Sequence, residues 1–152
     1  MKSTERVAPE NTMLSDYLCF AVYSANLAFG KAYKPILEEL GLTYPQYIAI
    51  IALWEEDNLT VGGLGARMFL ESNTLTPMLK KLEAMGYLER RRDPGDERQV
   101  RISLTKSGRR LREKALRMDR IETGLERDEF RKIQGAVVTL RSNLIASVQN
   151  GE

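Results

Sequence analysis

The feature that most constrains this sequence is a change in the spacing of its apolar residues within positions 57–105. The segment DNLTVGGLGARMFLESNTLTPMLKKLEAMGYL places apolar residues at the three- and four-residue intervals of helices. The next segment, YLERRRDPGDERQVRISLT, alternates apolar and polar residues on either side of DPGD, which is a turn sequence. We therefore predict two short helices followed directly by a β-hairpin.

The starts of both helices and the end of the second can be predicted from capping residues. Thr60 is a candidate N-cap for the first helix, and the second begins with three candidates in a row, Ser72, Asn73 and Thr74. Pro77 favours the later of these caps, because a proline in the first turn of a helix breaks no hydrogen bond. Gly86 is expected to end the second helix.

The remainder of the chain is predicted to be helical. Apolar residues recur at helical spacing over residues 14–40, and Pro35 permits a break in that helix. Thr43 and Gln46 have the spacing of a capping box for a helix to about residue 56. Two more helices are expected over residues 105–118 and up to about residue 148. The predicted fold class is mainly α with a small β-hairpin wing.

Positive charge is concentrated in one part of the sequence. The whole chain has a formal net charge of only +2, yet residues 86–117 contain 11 basic and 5 acidic residues, a net charge of +6. A helix-turn-helix followed by a basic hairpin is the winged-helix arrangement, in which the second helix enters the major groove of DNA and the hairpin reaches the minor groove. A basic face that is merely solvated is the alternative, and the preceding helix-turn-helix favours DNA binding.

The candidate DNA contacts come from the second helix and from the hairpin. Short hydrogen-bonding side chains at the start of the helix suit base edges, lysines farther along suit phosphates, and Asp96 is spaced to hold the guanidinium of Arg98. The predicted contacts are Ser72, Asn73, Thr74, Thr76, Pro77, Lys80, Lys81, Arg92, Asp96, Arg98 and Arg101.

Composition excludes several classes of chemistry. The chain has no histidine and one cysteine, so an internal disulfide, the usual zinc ligand sets and histidine-based catalysis are excluded. We expect no metal, no cofactor and no enzymatic activity. Since no apolar run approaches the ~18 residues of a membrane span and the first residues lack a signal-peptide core, we expect a cytoplasmic protein.

The single cysteine, Cys19, has Tyr23 four residues after it and Tyr33 fourteen residues after it. Tyr33 is ~21 Å farther along a continuous helix, so only a second copy with an antiparallel first helix brings it to the sulfur. Phenols that donate to the sulfur favour the thiolate, the form that attacks peroxides. From this geometry alone, a small buried cysteine with two packing tyrosines is the favoured interpretation.

The sequence also resembles a known family. The stretch LTVGGLGARMFLESNTLTPMLKKLEAMGYLERRRDPGDERQVRISLTKSGRRL resembles the MarR family of winged-helix transcriptional regulators, with Asp96-x-Arg98 followed by SLT as its most specific signature. The stretch LCFAVYSANLAFGKAYKPILEELGLTYPQYIAIIALWE is similar to its branch of organic hydroperoxide-sensing repressors. The resemblance covers residues 14–148 and favours a redox sensor at Cys19, Tyr23 and Tyr33. It implies a homodimer formed by the terminal helices, a pseudo-palindromic operator, and release of DNA when the thiol is oxidised.

Two positions depart from that branch. Two-cysteine members have a second cysteine shortly before the last helix, where this chain has Ile121, and Asn73 stands where glycine is frequent. Oxidised Cys19 would therefore need an external small thiol, or further oxidation, to complete a switch.

Three alternatives remain at this point. They are a MarR-type regulator released by a small aromatic ligand with a structural Cys19, a thiol peroxidase, and a purely structural dimerisation module.

The resemblance also implies a division of the chain. We expect a flexible N-terminus over residues 1–12, a sensor and dimerisation region over 13–42, a winged-helix lobe over 43–104, dimerisation helices over 105–148 and a tail over 149–152.

Overall fold

Six α-helices and a three-stranded antiparallel sheet form the part of the chain that the computed structural model describes, residues 13–151. The expectations for residues 1–12 and for residue 152 lie outside that part. A 3-10 turn over Leu14–Asp16 precedes α1. The elements are α1 (Leu18–Leu40), α2 (Tyr44–Glu55), β1 (Leu59–Thr60), α3 (Val61–Met68), α4 (Ser72–Ala84), β2 (Leu88–Asp93), β3 (Asp96–Leu104), α5 (Lys106–Met118) and α6 (Arg127–Asn150). The predicted fold class is confirmed.

Threonine caps begin three of the helices. The backbone N–H of Gln46 donates to Thr43 Oγ1 at 3.3 Å, and the N–H of Thr43 donates to Gln46 Oε1 at 2.9 Å, which confirms the capping box. Thr60 Oγ1 accepts from Gly63 N at 3.0 Å, and Thr105 Oγ1 caps α5 in the same way. These caps fix the residues at which α2, α3 and α5 begin.

The prediction for the start of α4 was wrong. The helix begins at Ser72, and Glu71 is the cap residue, without a side-chain hydrogen bond to the helix. Pro77 consequently lies inside α4 and removes one helical hydrogen bond. The backbone N–H groups of Thr74 and Leu75 both donate to Glu71 O at 3.1 Å, and Leu75 is fully buried, so core packing fixes the earlier start.

The permitted break at Pro35 does not occur, because α1 continues through this residue to Leu40. Ile36, Leu37 and Leu40 are buried directly after the proline, so packing offsets the one lost hydrogen bond. Gly41 then ends the helix at φ 68°, a left-handed conformation that glycine adopts at little cost.

The wing is an antiparallel hairpin with an additional short strand. In the sheet order β1-β3-β2, Leu88 pairs with Leu104 and Arg90 pairs with Ile102, while Leu59 of β1 pairs with Ile102 from the other side. Strand β1 was not predicted, since two residues are too few to show an alternation. It attaches the wing to the N-terminal end of α3.

The core belongs to a first compact unit that ends at Asp119, and a second unit, which contains α6, begins at Arg120. Helix α2 packs against α1, α3, α4 and α5. In the second unit α6 has no buried residue and exposes a row of large apolar side chains. None of the helices within residues 13–151 combines the length and the hydropathy that a membrane span requires.

Gly108 provides a test of the packing between the sheet and α5. A Cβ at this position would lie 2.1 Å from the backbone oxygen of Tyr87, so we expect Gly108→Ala to lower the free energy of unfolding by about 2 kcal/mol or more. Urea denaturation at a fixed protein concentration measures the change. A Cβ at Gly62 in α3 meets nothing within 4 Å, so Gly62→Ala should keep or slightly raise stability. Equal stability of both variants would contradict this account.

Candidate functional site

The exposed face of α4 is defined by the leucines on its opposite side. Leu75, Leu79 and Leu82 are fully buried, and their spacing turns the remaining positions outward. The exposed predicted contacts are Ser72, Asn73, Thr74, Pro77, Lys80 and Lys81. Thr76 is half-buried, and its hydroxyl donates to Ser72 O at 2.8 Å. The structure therefore brings these side chains to one surface.

The tip of the wing presents Arg98. Its backbone N–H and its Nε both donate to Asp96 Oδ1, at 3.1 and 3.2 Å, while 91% of the side chain is exposed. This is the contact that the spacing of the two residues predicts. Arg92, on the neighbouring strand, donates from Nη1 to Glu97 O at 3.1 Å. A carboxylate thus holds one exposed guanidinium at the turn.

Arg101 connects the wing to the segment before β1. Its Nε donates to Asp93 Oδ2 at 3.1 Å, and its Nη1 donates to Asn58 O at 2.9 Å. The backbone N–H of Gly95, together with the charge of Arg101, lowers the pKa of the Asp93 carboxyl. Arg101 therefore braces the hairpin against the segment before β1.

Arg90 connects the wing to α4. The Glu83 carboxylate accepts from the Arg90 side chain at 3.1 and 3.2 Å and from its backbone N–H at 3.0 Å. The side-chain hydrogen bonds from Arg90 are the largest cause of a lowered pKa of Glu83. Arg90 belongs to the basic hairpin predicted from the sequence, but its pairing with Glu83 was not predicted, because Glu83 occupies a helical position with no pattern of its own.

Cys19 lies in the first turn of α1 and is exposed, as is Tyr23 on the same helix face. The apolar residues Leu18, Phe20 and Phe29 are also exposed, so within the described residues a single chain does not enclose Cys19 in an apolar pocket. Helix α1 is continuous from Cys19 to Tyr33, so these two residues are ~21 Å apart along the helix axis.

Tyr33 belongs to a cluster of phenols around one carboxylate. Its ring stacks on Tyr44 with centroids 5.3 Å apart, and it lies 5.9 Å from the ring of Tyr47. Tyr47 is only 2% exposed, and its hydroxyl donates to Asp119 Oδ2 at 3.2 Å. The three-residue spacing of Tyr44 and Tyr47 on α2 could have indicated a shared face. Asp119, 72 residues after Tyr47, has no such signal.

The cluster has an unusual electrostatic environment for phenols. Burial, followed by the charge of Asp119, the proximity of Tyr44 and a hydrogen bond to Asp119, raises the pKa of Tyr33 above its ordinary value. Burial and the same carboxylate also raise the pKa values of Tyr44 and Tyr47. All three phenols therefore retain their protons at neutral pH and can donate them.

Comparison with known proteins identifies the family. Residues 31–115 match the family described as transcriptional regulator SarA/Rot. The organic hydroperoxide resistance transcriptional regulator of Bacillus subtilis (strain 168) is 41% identical over 89% of this chain and 94% of its own length. The chain belongs to the MarR family of winged-helix transcriptional regulators. A second relative is the HTH-type transcriptional regulator TtmR of Methylorubrum extorquens (strain PA1), which is 45% identical over 100% of this chain and 78% of its own length.

Solved structures of this MarR family give the same fold. Reduced AbfR bound to DNA has a TM-score of 0.78 at 34% identity, covering 89% of this chain and 94% of that one. Overoxidised AbfR bound to DNA has a TM-score of 0.72 at 36% identity, covering 85% and 93%. The family resemblance of the sequence is therefore confirmed.

The pair of Glu83 and Arg90 predicts a pH-dependent contribution to stability. Because folding lowers the pKa of Glu83, its contribution is complete at neutral pH and is lost as the pH falls below ~4.3, the ordinary glutamate value, through the lowered folded-state value. We expect Glu83→Gln to reduce the free energy of unfolding at pH 7 by about 0.5–1 kcal/mol, since partial exposure screens the pair.

Urea denaturation at pH 7 and in acid measures this dependence, with Glu113→Gln at an exposed position of α5 as the matched control. A Glu83→Gln deficit that is the same at both pH values would contradict the assignment.

Proposed function

We propose that this protein is a dimeric DNA-binding repressor that releases its operator when an organic hydroperoxide oxidises Cys19. The observation that carries the proposal is an exposed thiol at the start of α1 in a chain whose fold matches that of AbfR in a DNA complex. The relative in Bacillus subtilis, which is named for organic hydroperoxide resistance, supports the class of oxidant.

The operator is read by α4 and by the wing. Ser72, Asn73 and Thr74 face base edges in the major groove, with Thr76 and Pro77 behind them, and Lys80 and Lys81 contact phosphates. Arg98, held by Asp96, enters the minor groove, and Arg92 lies beside it on the hairpin. Arg101, which is predicted from the sequence as a DNA contact, is hydrogen-bonded to Asp93 and Asn58, so we assign it, like Arg90, the role of holding the wing in place.

Two copies are needed to bind a pseudo-palindromic operator, in which each copy reads one half-site. The first half of α1 and the length of α6 each expose large apolar side chains, and such surfaces are typical of protein interfaces. A homodimer formed by these terminal helices covers both faces. In a twofold dimer with antiparallel α1 helices, Tyr33 of one copy approaches Cys19 of the other.

The chemical step is the attack of the Cys19 thiolate on the terminal oxygen of the hydroperoxide. An S–O bond forms while the O–O bond breaks, and the alkoxide leaves with the electron pair and takes up a proton to become an alcohol. The sulfur is oxidised by two electrons to sulfenic acid, and the peroxide is reduced. Phenol hydroxyls from Tyr23 and Tyr33 stabilise the attacking thiolate by donating to it.

The sulfenic acid reacts further with a molecule from outside this chain, since the sequence contains no second thiol. A small external thiol condenses with the sulfenic acid to give a mixed disulfide and water, or a second hydroperoxide oxidises it further. Either product enlarges the side chain at the start of α1, disturbs the helix-1 interface and alters the spacing of the two wings. Half-sites separated by about one turn of DNA tolerate little change in that spacing.

Release of DNA by hydroperoxide provides the first test. We expect cumene hydroperoxide in stoichiometric amount, with a small thiol present, to abolish operator binding by the unchanged protein, because the modified thiol disturbs the dimer. Cys19→Ser should bind equally well before and after treatment. Fluorescence anisotropy with a labelled duplex measures both. Unchanged binding by both proteins would overturn the redox proposal and favour release by a small aromatic ligand.

The role of the wing is tested with Arg98→Ala. Removing an exposed guanidinium that neutralises one phosphate or enters the minor groove should weaken binding by about tenfold, and it should reduce the slope of log K against log salt by about one. Titrations at several salt concentrations measure both values. Arg131→Ala, at an exposed position of α6, is the matched control and should change neither. An unaltered slope for Arg98→Ala would exclude this contact.

A further inference from the structure

Asp119 lies where three elements of the first unit meet. It follows the last residue of α5, its backbone N–H donates to Ala115 O at 2.8 Å, and its carboxylate accepts from the Tyr47 hydroxyl of α2. The titratable groups of this cluster are Tyr33 on α1, Tyr44 and Tyr47 on α2, and Asp119 itself. A carboxylate has two oxygens with about four acceptor sites, so accepting from Tyr47 leaves capacity for a second phenol.

Tyr33 is held in this cluster by ring packing. Its ring packs against those of Tyr44 and Tyr47, both on α2, and its side chain is half-buried. Centroid distances of 5.3 and 5.9 Å are within the favourable range for aromatic pairs, which restricts the ring to a narrow set of orientations. The Tyr33 ring is consequently kept next to Tyr47, whose hydroxyl donates to Asp119 Oδ2 at 3.2 Å in the same chain.

We propose that Asp119 is a positioning residue of the thiol sensor, whose carboxylate competes with the Cys19 sulfur of a second copy for the single hydroxyl proton of Tyr33. This inference rests on the proposed function for the presence of that sulfur. A phenol has one O–H, so it donates to one strong acceptor at a time. The carboxylate and the thiolate are both anionic acceptors, and charge-assisted bonds to such groups are the strongest of their kind.

The competition determines how reactive the thiol is and which acceptor the Tyr33 hydroxyl donates to after oxidation. Donation of Tyr33 to Asp119 withdraws a donor from the thiolate and so makes the thiolate less stable relative to the thiol. Once the sulfur is oxidised to the neutral sulfenic acid, it is the weaker acceptor, and the phenol turns to the carboxylate of its own chain. The Tyr33 hydroxyl then donates to Asp119 of its own chain and no longer to the sulfur of the other copy.

The acceptor role can be tested without thiol chemistry. In Cys19→Ser protein with ¹³Cζ-labelled tyrosine, NMR titration follows each phenol, and Tyr33→Phe assigns the Tyr33 signal. We expect Asp119→Asn to lower the pKa of Tyr33, because a neutral amide replaces the charged acceptor. Tyr47→Phe should raise it, because the carboxylate loses its other donor. Asp128→Asn, the same charge change at an exposed position of α6, should leave it unaltered.

An unaltered Tyr33 pKa in Asp119→Asn would overturn the proposal. If that variant fails to fold, as judged by circular dichroism, the Tyr47→Phe variant tests the proposal by itself. A Tyr33 pKa that does not rise in that variant would overturn the proposal. Neither outcome depends on whether Cys19 reacts with peroxides, so failure here is distinct from failure of the proposed function.

The competition itself is tested by a double-mutant cycle on the rate of sulfenic acid formation. With cumene hydroperoxide, we expect Asp119→Asn to shift the pH profile of the rate to lower pH and to raise the rate several-fold on the acidic side of that profile. In a Tyr33→Phe background the same substitution should have no effect. An effect that persists without the Tyr33 hydroxyl would show that the carboxylate acts by charge alone and would overturn the proposal. An unreactive wild-type thiol would instead refute the proposed function.

Discussion

Burial of α2 is the constraint on which the rest of the first unit depends. This helix is apolar around most of its circumference, and such a helix is stable only when other elements cover it. Helices α1, α3, α4 and α5 provide that cover. The two ends of α2 consequently make different contacts. Tyr47, near its start, belongs to the phenol cluster, and Trp54, near its end, donates from Nε1 to Gly108 O at 2.9 Å. One buried helix thus links the cluster to the lobe that carries the wing.

Charged side chains add to the contacts that hold the wing in place. Only Leu88, Ile102 and Leu104 of the hairpin are buried, which is little apolar area for a projecting hairpin. Glu83 with Arg90, and Asp93 with Arg101, supply the additional connections to α4 and to the segment before β1. Arginine suits these positions because its planar group reaches two acceptors at once. Arg90 and Arg101 therefore brace the wing, whereas the side chain of Arg98, at its tip, is 91% exposed.

Local signals accounted for most of the secondary structure. Thr43, Thr60 and Thr105 begin helices as their cap spacing predicts, and Gly41 and Gly86 end them, since these effects act within a few residues. The start of α4 was predicted wrongly because the burial of Leu75 outweighs the preference for a side-chain cap. Strand β1 and the continuous α1 at Pro35 were likewise decided by packing partners distant in sequence. The division of the chain and the individual DNA contacts remain predictions.

The sequence by itself determined the winged-helix order of elements, the concentration of positive charge at the hairpin, and a chemistry restricted to one thiol without histidine. Those properties follow from composition and from spacing over a few residues, which do not require a folded chain. Only the tertiary structure decided which arginines connect the wing to α4 and to the segment before β1, and only it brought Asp119 to the phenol cluster of Tyr33 and Tyr47. The contacts of Asp119 join residues tens of positions apart, and they arise from the packing of α1, α2 and α5, which no local pattern encodes.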